Sequence, residues 1–249
     1  MKLARRVALI TGAGSGIGRA TALLFAEEGA KIVVADIDGK AAGQTVELIE
    51  KRGGAATSVE ADVTKASGAA RMISAAVETY GALDILLNNA GWPMLPTPVV
   101  DLDEALWDKI MAVNVKGIFL GAKYAIPVMK KQGKGVIINM ASIAGKFARA
   151  GSSAYNTSKA AAIMLTKVLA LEGAPEIRVN CISPGVADTP MLPRLGVGTK
   201  QAVDDFVAQS PLRRLVQPTD VAHAALYLAS DDSSMSTGIS LDVAGGRGL

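Results

Sequence analysis

Residues 7–29 read VALITGAGSGIGRATALLFAEEG. Residues 7–11 form a short, unbroken apolar run, the pattern of a strand buried on both faces of a parallel sheet. The run passes directly into Gly12-Ala13-Gly14-Ser15-Gly16-Ile17-Gly18, and a helical segment follows that stops at Gly29. A strand, a glycine turn and a helix N-terminus in that order make a phosphate cradle. Glycines let the backbone approach closely, and unpaired N–H groups and the helix dipole face the negative charge. A glycine repeat alone would be satisfied by any tight turn; here the spacing is T-G-x-x-x-G-x-G in the strand–turn–helix context that nucleotide binding requires. Gly12, Ser15, Gly16, Ile17 and Gly18 are therefore candidate cofactor contacts.

Outward from this unit, strands and helices alternate. Residues 31–36, KIVVAD, form a second strand whose last residue is acidic. Asp36 lies about 20 residues beyond the glycines, where a carboxylate accepts from the adenosine ribose hydroxyls and repels a 2′-phosphate. Ile37 follows, with no Lys or Arg to receive that phosphate, so NAD is expected rather than NADP. The structural alternative for Asp36 is a turn residue ending a strand. A helix is expected over 38–52, a strand over 56–61 ending at Asp62-Val63, a helix over 65–80, and a strand over 83–87 leading into Asn88-Asn89-Ala90-Gly91.

Helices follow over 101–113 and 115–131, joined near Asn114, with Pro127 expected to kink the second. A strand over 136–140 delivers Ala141-Ser142, a helix covers 152–171, and a strand over 177–182 ends in Ser183-Pro184-Gly185. Residues 186–209, rich in Pro and Gly, show no clear periodicity and are expected to form a substrate loop (about 186–210) that orders over ligand. A helix over 219–229 and a strand over 239–243 close the chain. This alternation predicts one doubly wound α/β domain spanning residues 1–249, with right-handed crossovers. Ligands in such sheets bind outside the carboxyl ends of the strands, and Gly12, Asp36, Asp62 and Asn89 all fall at such ends.

The totals fit this reading. The chain has 249 residues, half of them hydrophobic, 26 glycines and a net charge of +3, suited to a buried sheet under alanine-rich helices. The basic residues are dispersed and not interleaved with aromatics, so no nucleic-acid surface is expected. The opening apolar run is too short for a signal peptide and no run approaches a membrane span. The single cysteine, Cys181, forbids an intrachain disulfide and points to a reducing compartment, the cytoplasm; within its strand it reads as buried and inert. The single histidine, His223, reads as a helix-surface or packing residue and excludes any site with two His ligands. No metal is expected.

Within residues 152–171, Tyr155 and Lys159 stand four apart and so share one helix face. Such a pair is commonly packing and solvation. In a cleft it is an acid–base unit: a cation ~4 Å from the phenol at an effective dielectric of ~20 is worth about 4 kcal/mol, enough to bring a phenol from ~10 to about 7.

With these pieces in place the chain resembles the short-chain dehydrogenase/reductase family over essentially its whole length. The resemblance is carried by Thr11 to Gly18, Asp62-Val63, Asn88-Asn89-Ala90-Gly91, Asn114, Ser142, Tyr155-Asn156-Thr157-Ser158-Lys159 and Pro184-Gly185. It implies a seven-stranded, mostly parallel Rossmann-type sheet with helices on both faces, and a homotetramer or dimer. It also implies a catalytic set of Asn114, Ser142, Tyr155 and Lys159. Asp62 and Val63 would hold the adenine, Asn89, Ala90 and Gly91 would line the cofactor, and Val186 and Thr189 would meet the nicotinamide carboxamide beside Pro184 and Gly185. In this scheme Ser142 orients the substrate oxygen, Tyr155 exchanges the proton, Lys159 lowers the tyrosine pKa and bonds the nicotinamide ribose, and Asn114 holds a relay water. Two places depart from the family pattern: Met235 precedes Ser236-Thr237-Gly238, and Ala244 precedes Gly245-Gly246. Neither is expected at the chemistry.

The leading reading is an NAD-dependent oxidoreductase acting on a secondary alcohol or ketone. Trp92, Met94, Phe147, Met191 and Leu192 are candidate pocket residues that suggest a largely apolar small-molecule substrate. An NADPH-dependent 3-ketoacyl-acyl-carrier-protein reductase is the second reading, opposed by Asp36. A nucleotide-sensing protein without catalysis is the third, opposed by the complete Asn-Ser-Tyr-Lys set.

Overall fold

The computed structural model describes residues 1–248. Its first half runs β1 (Val7–Thr11), α1 (Gly16–Glu27), β2 (Lys31–Asp36), α2 (Gly39–Glu50), β3 (Ala55–Glu60), α3 (Ala66–Tyr80) and β4 (Ile85–Asn88). The second half runs α4 (Glu104–Met111), α5 (Gly117–Gln132), β5 (Gly135–Met140), α6 (Ser153–Gly173), β6 (Ile177–Pro184), α7 (Lys200–Ala208), α8 (Pro218–Ala229) and β7 (Ser240–Val243). The seven strands form one sheet in the order β3-β2-β1-β4-β5-β6-β7, and every neighbouring pair is parallel.

Because side chains alternate along a strand, each strand feeds two cores. One face carries Ala8, Ile10, Ile32, Val34 and Ile138, covered by Ala22 and Phe25 of α1, Ile49 of α2 and Val221 and Ala225 of α8. The opposite face carries Leu9, Val33, Leu86, Ile137 and Val179, covered by Met72 of α3, Ala122 and Met129 of α5 and Ala162 and Leu169 of α6. Burial on both faces explains why these strands read as continuous apolar runs rather than alternating ones. The strand order reverses between β1 and β4, which places the crevice for a ligand at the carboxyl ends of these two strands.

Two expectations need correction. Residues 186–209 are not wholly irregular: Leu192–Leu195 is a 3₁₀ turn and α7 occupies Lys200–Ala208, capped by Thr199, whose hydroxyl accepts from Ala202 N–H at 3.2 Å. The break near Asn114 is a π-turn, Ala112–Lys116, joining α4 to α5 without leaving helical geometry. α5 runs as one helix with Pro127 inside it, where the sequence placed the proline. Cys181 is buried and His223 exposed, as expected. No helix among the described residues is long and apolar enough to cross a membrane.

Candidate active site

The glycine turn is clamped to the start of the loop after β4. The Thr11 hydroxyl accepts from Asn89 N–H and Ala90 N–H, each at 3.0 Å, while Asn89 Nδ2 donates to the carbonyls of Thr11 (2.9 Å) and Gly12 (3.2 Å). Gly12 and Gly16 take positive φ, 63° and 53°. At Gly18 the requirement is space: a Cβ would lie 2.3 Å from the Gly12 carbonyl oxygen. Gly18 thus packs α1 onto the turn and does not line the cavity, a correction to its expected role as a contact.

A cavity of about 800 Å³ runs along this rim. At one end it is lined by Gly12, Ser15, Gly16, Ile17, Asp36 and Ile37, and further along by Asp62, Val63, Asn89, Ala90 and Gly91. Asp36 is fixed by two backbone donors: Gly14 N–H reaches Oδ2 at 2.8 Å and Asp38 N–H reaches Oδ1 at 3.0 Å. Asp62 Oδ1 accepts from Thr64 N–H and its hydroxyl, at 2.9 and 2.8 Å. Ser15 is the N-cap of α1 and makes no side-chain cap bond, so the first amides of that helix are left for an anion at the cavity wall. An uncapped helix N-terminus, glycines where a Cβ would fill the groove and a carboxylate at the far end fit the pyrophosphate and ribose of a dinucleotide. No cluster of metal-ligating side chains occurs among the described residues.

At the other end lie Ser142, Tyr155, Lys159, Pro184, Gly185 and Thr189. Ser142 ends the segment after β5; its hydroxyl accepts from Ala144 N–H at 3.1 Å and donates weakly toward the Pro184 carbonyl at 3.4 Å. Val186 does not line this cavity. It lies in a second chamber of about 590 Å³ that shares Ser142, Tyr155 and Gly185 with the first.

The electrostatics of Tyr155 and Lys159 differ from the sequence arithmetic. Lys159 is buried, its Nζ donates to the Met140 carbonyl at 2.8 Å, and it sits 5.7 Å from the centroid of the Tyr155 ring. Burial pushes the ammonium down to about 8. Burial also pushes the Tyr155 phenol up, with the neighbouring Ser142 hydroxyl pulling weakly the other way. The expectation of a phenol near 7 is therefore not met: burial acts on the phenol more strongly than any neighbouring group that favours its charged form.

Asn114 is buried and outside the cavity wall. Its Oδ1 accepts from Trp92 N–H at 2.7 Å, and Nδ2 donates to the Trp92 carbonyl at 3.1 Å and to Ser158 Oγ at 3.0 Å. Both amide protons are committed, so the side chain fixes the loop after β4 to α6 rather than donating to a relay water.

Of the expected pocket residues, Trp92 and Met191 line the first chamber and Met94 and Phe147 the second, whereas Leu192 is buried outside both. Four cations were not foreseen. Lys109 and Arg194 lie over the Trp92 ring at 3.6 and 4.4 Å from its centroid. Arg149 and Arg247 lie over Phe206 at 5.5 and 4.3 Å. The tail is correspondingly not remote from the chemistry, because Arg247 and Gly248 line the second chamber.

Comparison with known proteins agrees with this geometry. A family model described as enoyl-(acyl carrier protein) reductase matches residues 12–247. A 2,5-dichloro-2,5-cyclohexadiene-1,4-diol dehydrogenase of Sphingobium indicum is 41% identical over 98% of this chain and 97% of its own length. A 3-oxoacyl-[acyl-carrier-protein] reductase of Thermotoga maritima is 38% identical, covering 99% of each chain. Among solved structures, a 7α-hydroxysteroid dehydrogenase complexed with NADH and 7-oxo glycochenodeoxycholic acid superposes with a TM-score of 0.94 at 37% identity, over 99% of this chain and 95% of that one. The chain belongs to the short-chain dehydrogenase/reductase family, a family of oxidoreductases that work with a nicotinamide cofactor.

Proposed function

We propose that the protein is an NAD-dependent dehydrogenase that interconverts a secondary alcohol and its ketone, with residues 1–249 acting as one catalytic domain in the cytoplasm. Asp36 carries the choice of NAD. Its carboxylate is held by the Gly14 and Asp38 amides, and no Lys or Arg lines that end of the cavity. Arg19 is turned onto the Gly14 carbonyl and the Thr45 hydroxyl. A 2′-phosphate would meet a fixed negative charge with nothing to offset it.

The nicotinamide supplies the hydride acceptor or donor. The chain supplies placement and the proton. Ser142 donates to the substrate oxygen, where negative charge develops. The Tyr155 hydroxyl takes the proton during oxidation and returns it during reduction. Lys159, tethered at Met140, keeps its remaining N–H bonds for the nicotinamide ribose and places positive charge near the phenol. Asn114 acts as a positioning residue, locking Trp92 against Ser158. Ser15 to Ile17 receive the pyrophosphate, Asp62 and Val63 the adenine, Asn89 to Gly91 the adjoining ribose, and Pro184, Gly185, Val186 and Thr189 the nicotinamide. Exposed Phe119, Met164, Val168 and Leu171 on α5 and α6 support assembly into a homotetramer or dimer.

Titration with NADH and NADPH, followed by nicotinamide fluorescence, tests the assignment. NADH is expected to bind at least about tenfold tighter, and Asp36→Ala to erase the preference, since a like-charge contact costing ~1.4 kcal/mol or more lowers affinity tenfold or more. Tighter binding of NADPH would refute Asp36's role and favour a ketoacyl reductase.

A further inference from the structure

The charges of the two chambers are segregated. The acidic residues lining the first chamber, Asp36 and Asp62, stand at its adenosine end. The second chamber, which shares Ser142 and Tyr155 with the first, is lined by no Asp or Glu but by Arg149 and Arg247. Both guanidinium groups face one ring, Phe206 of α7. Among the described residues neither has a carboxylate partner: Arg247 donates to the Gln209 side-chain oxygen at 3.1 Å, and no ion pair involves either arginine.

Arg149 is exposed and Arg247 half-buried; two like charges gathered over one ring repel each other and Arg247 also loses solvation, so their juxtaposition costs free energy unless an anion sits between or beside them. Burial and the nearby Arg149 charge push the Arg247 guanidinium below its ordinary range, which an anion would reverse. The tail is built to hold Arg247 there. The Gly245 carbonyl oxygen accepts from Leu212 N–H and the Ser210 hydroxyl, at 3.1 and 3.2 Å, and Gly248 packs so tightly on Phe147 that a Cβ would lie 2.5 Å from the ring.

We propose that the substrate is an organic anion, a carboxylate or sulfonate with an apolar body. Its reacting carbon sits at Ser142 and Tyr155, its body lies against Phe147 and Phe206, and its charged end is received by Arg149 and Arg247. This rests on the oxidoreductase reading above and names the substrate class of that site, turning a largely apolar pocket into one with a cationic end wall. Arginine suits the task because its planar fork meets two oxygens at once.

The probes are cyclohexanecarboxylate and cyclohexanecarboxamide, equal in shape and different in charge, titrated into the NADH-loaded protein with nicotinamide fluorescence as readout. The carboxylate is expected to bind about tenfold tighter or more. Arg149→Gln and Arg247→Gln should each remove most of that preference and the double variant all of it, with Arg247→Lys recovering part. NADH affinity and thermal midpoint of the variants should match wild type, which separates lost recognition from lost folding. Absence of a carboxylate preference, whether both probes bind or neither does, overturns the proposal, and so does a preference that survives in the double variant. Failure of the wild type to bind NADH would instead refute the NAD-dependent reading on which the proposal rests.

Discussion

Lys159→Met is expected to remove activity and to be more stable, relative to wild type, at pH 7 than at pH 9.5. Wild type folds with this ammonium buried and its pKa depressed from the usual 10.5 to about 8. Below pH 8 the lysine is charged in both states, and the folded state carries the whole desolvation cost. The gap between the two values, at ~1.36 kcal/mol per tenfold, makes that about 3 kcal/mol at pH 7. Between pH 8 and 10.5 the unfolded chain binds more protons than the folded one, so wild-type stability rises with pH; by pH 9.5 the remaining cost is about 1.4 kcal/mol. Methionine has similar length and no charge, but it deserts the Met140 carbonyl, which costs ~1–3 kcal/mol at every pH. The absolute change at one pH is therefore a difference of comparable quantities. The change between pH values is not, because the lost hydrogen bond cancels. Urea unfolding of both proteins at pH 7 and 9.5 should show the variant's advantage shrinking by about 2 kcal/mol. An advantage that is the same at both pH values would refute a depressed Lys159 pKa, and with it the account of how this site holds its charge.

Tyr155→Phe should lower kcat/KM by about 10²–10⁴-fold with the NADH titration and thermal midpoint unchanged; wild-type turnover would remove Tyr155 from the proton transfer. Gly18→Ala places a Cβ 2.3 Å from the Gly12 carbonyl and 2.7 Å from Asn89 Nδ2, so α1 must move. A stability loss of ~1–3 kcal/mol or more and weaker NADH binding are expected, and a variant unchanged in both would show that the turn tolerates the displacement.

The fold was legible in the sequence because its central strands are buried on both faces. Val7–Thr11 and Ile85–Asn88 admit almost no polar residue until their last position, and the glycines and acids that follow fall on one rim by topology alone. α7 was missed although its signal was present. Thr199 caps it, and Val203 and Val207 repeat at four, but the surrounding Pro and Gly suggested a loop and none of its residues is fully buried. The π-turn at Ala112–Lys116 leaves no mark in residue type, being set by the contacts of Asn114. The Tyr155 pKa failed for another reason. Sequence spacing gives the distance between two groups on a helix but not how deeply either one is buried, and burial pushes the Tyr155 phenol up. Arg149 and Arg247 meet only because the tail folds back across the chamber, a long-range event with no local periodicity.

What the polar residues of the core achieve is register. Asn88, Asn139 and Thr166 are buried and linked in series: Asn88 Nδ2 donates to Asn139 Oδ1, and Asn139 Nδ2 to Thr166 Oγ1, each at 2.9 Å. Leucines there would bury as well, and hydrophobic burial is indifferent to a small slide along the helix axis. That matters for α6, an alanine-rich helix whose contact face with the sheet is smooth. Thr166 ties it to β5 through Asn139, and Ser158 ties it through Asn114 to the loop that carries Trp92. The two ties bracket Lys159, one at the residue before it and the other at Thr166, two turns on. Displacement of about 1 Å can cost ~10²-fold in rate, so a helix that carries both Tyr155 and Lys159 needs directional bonds where a merely structural helix would not. Buried polar links here serve position more than stability, as the buried charge of Lys159 does.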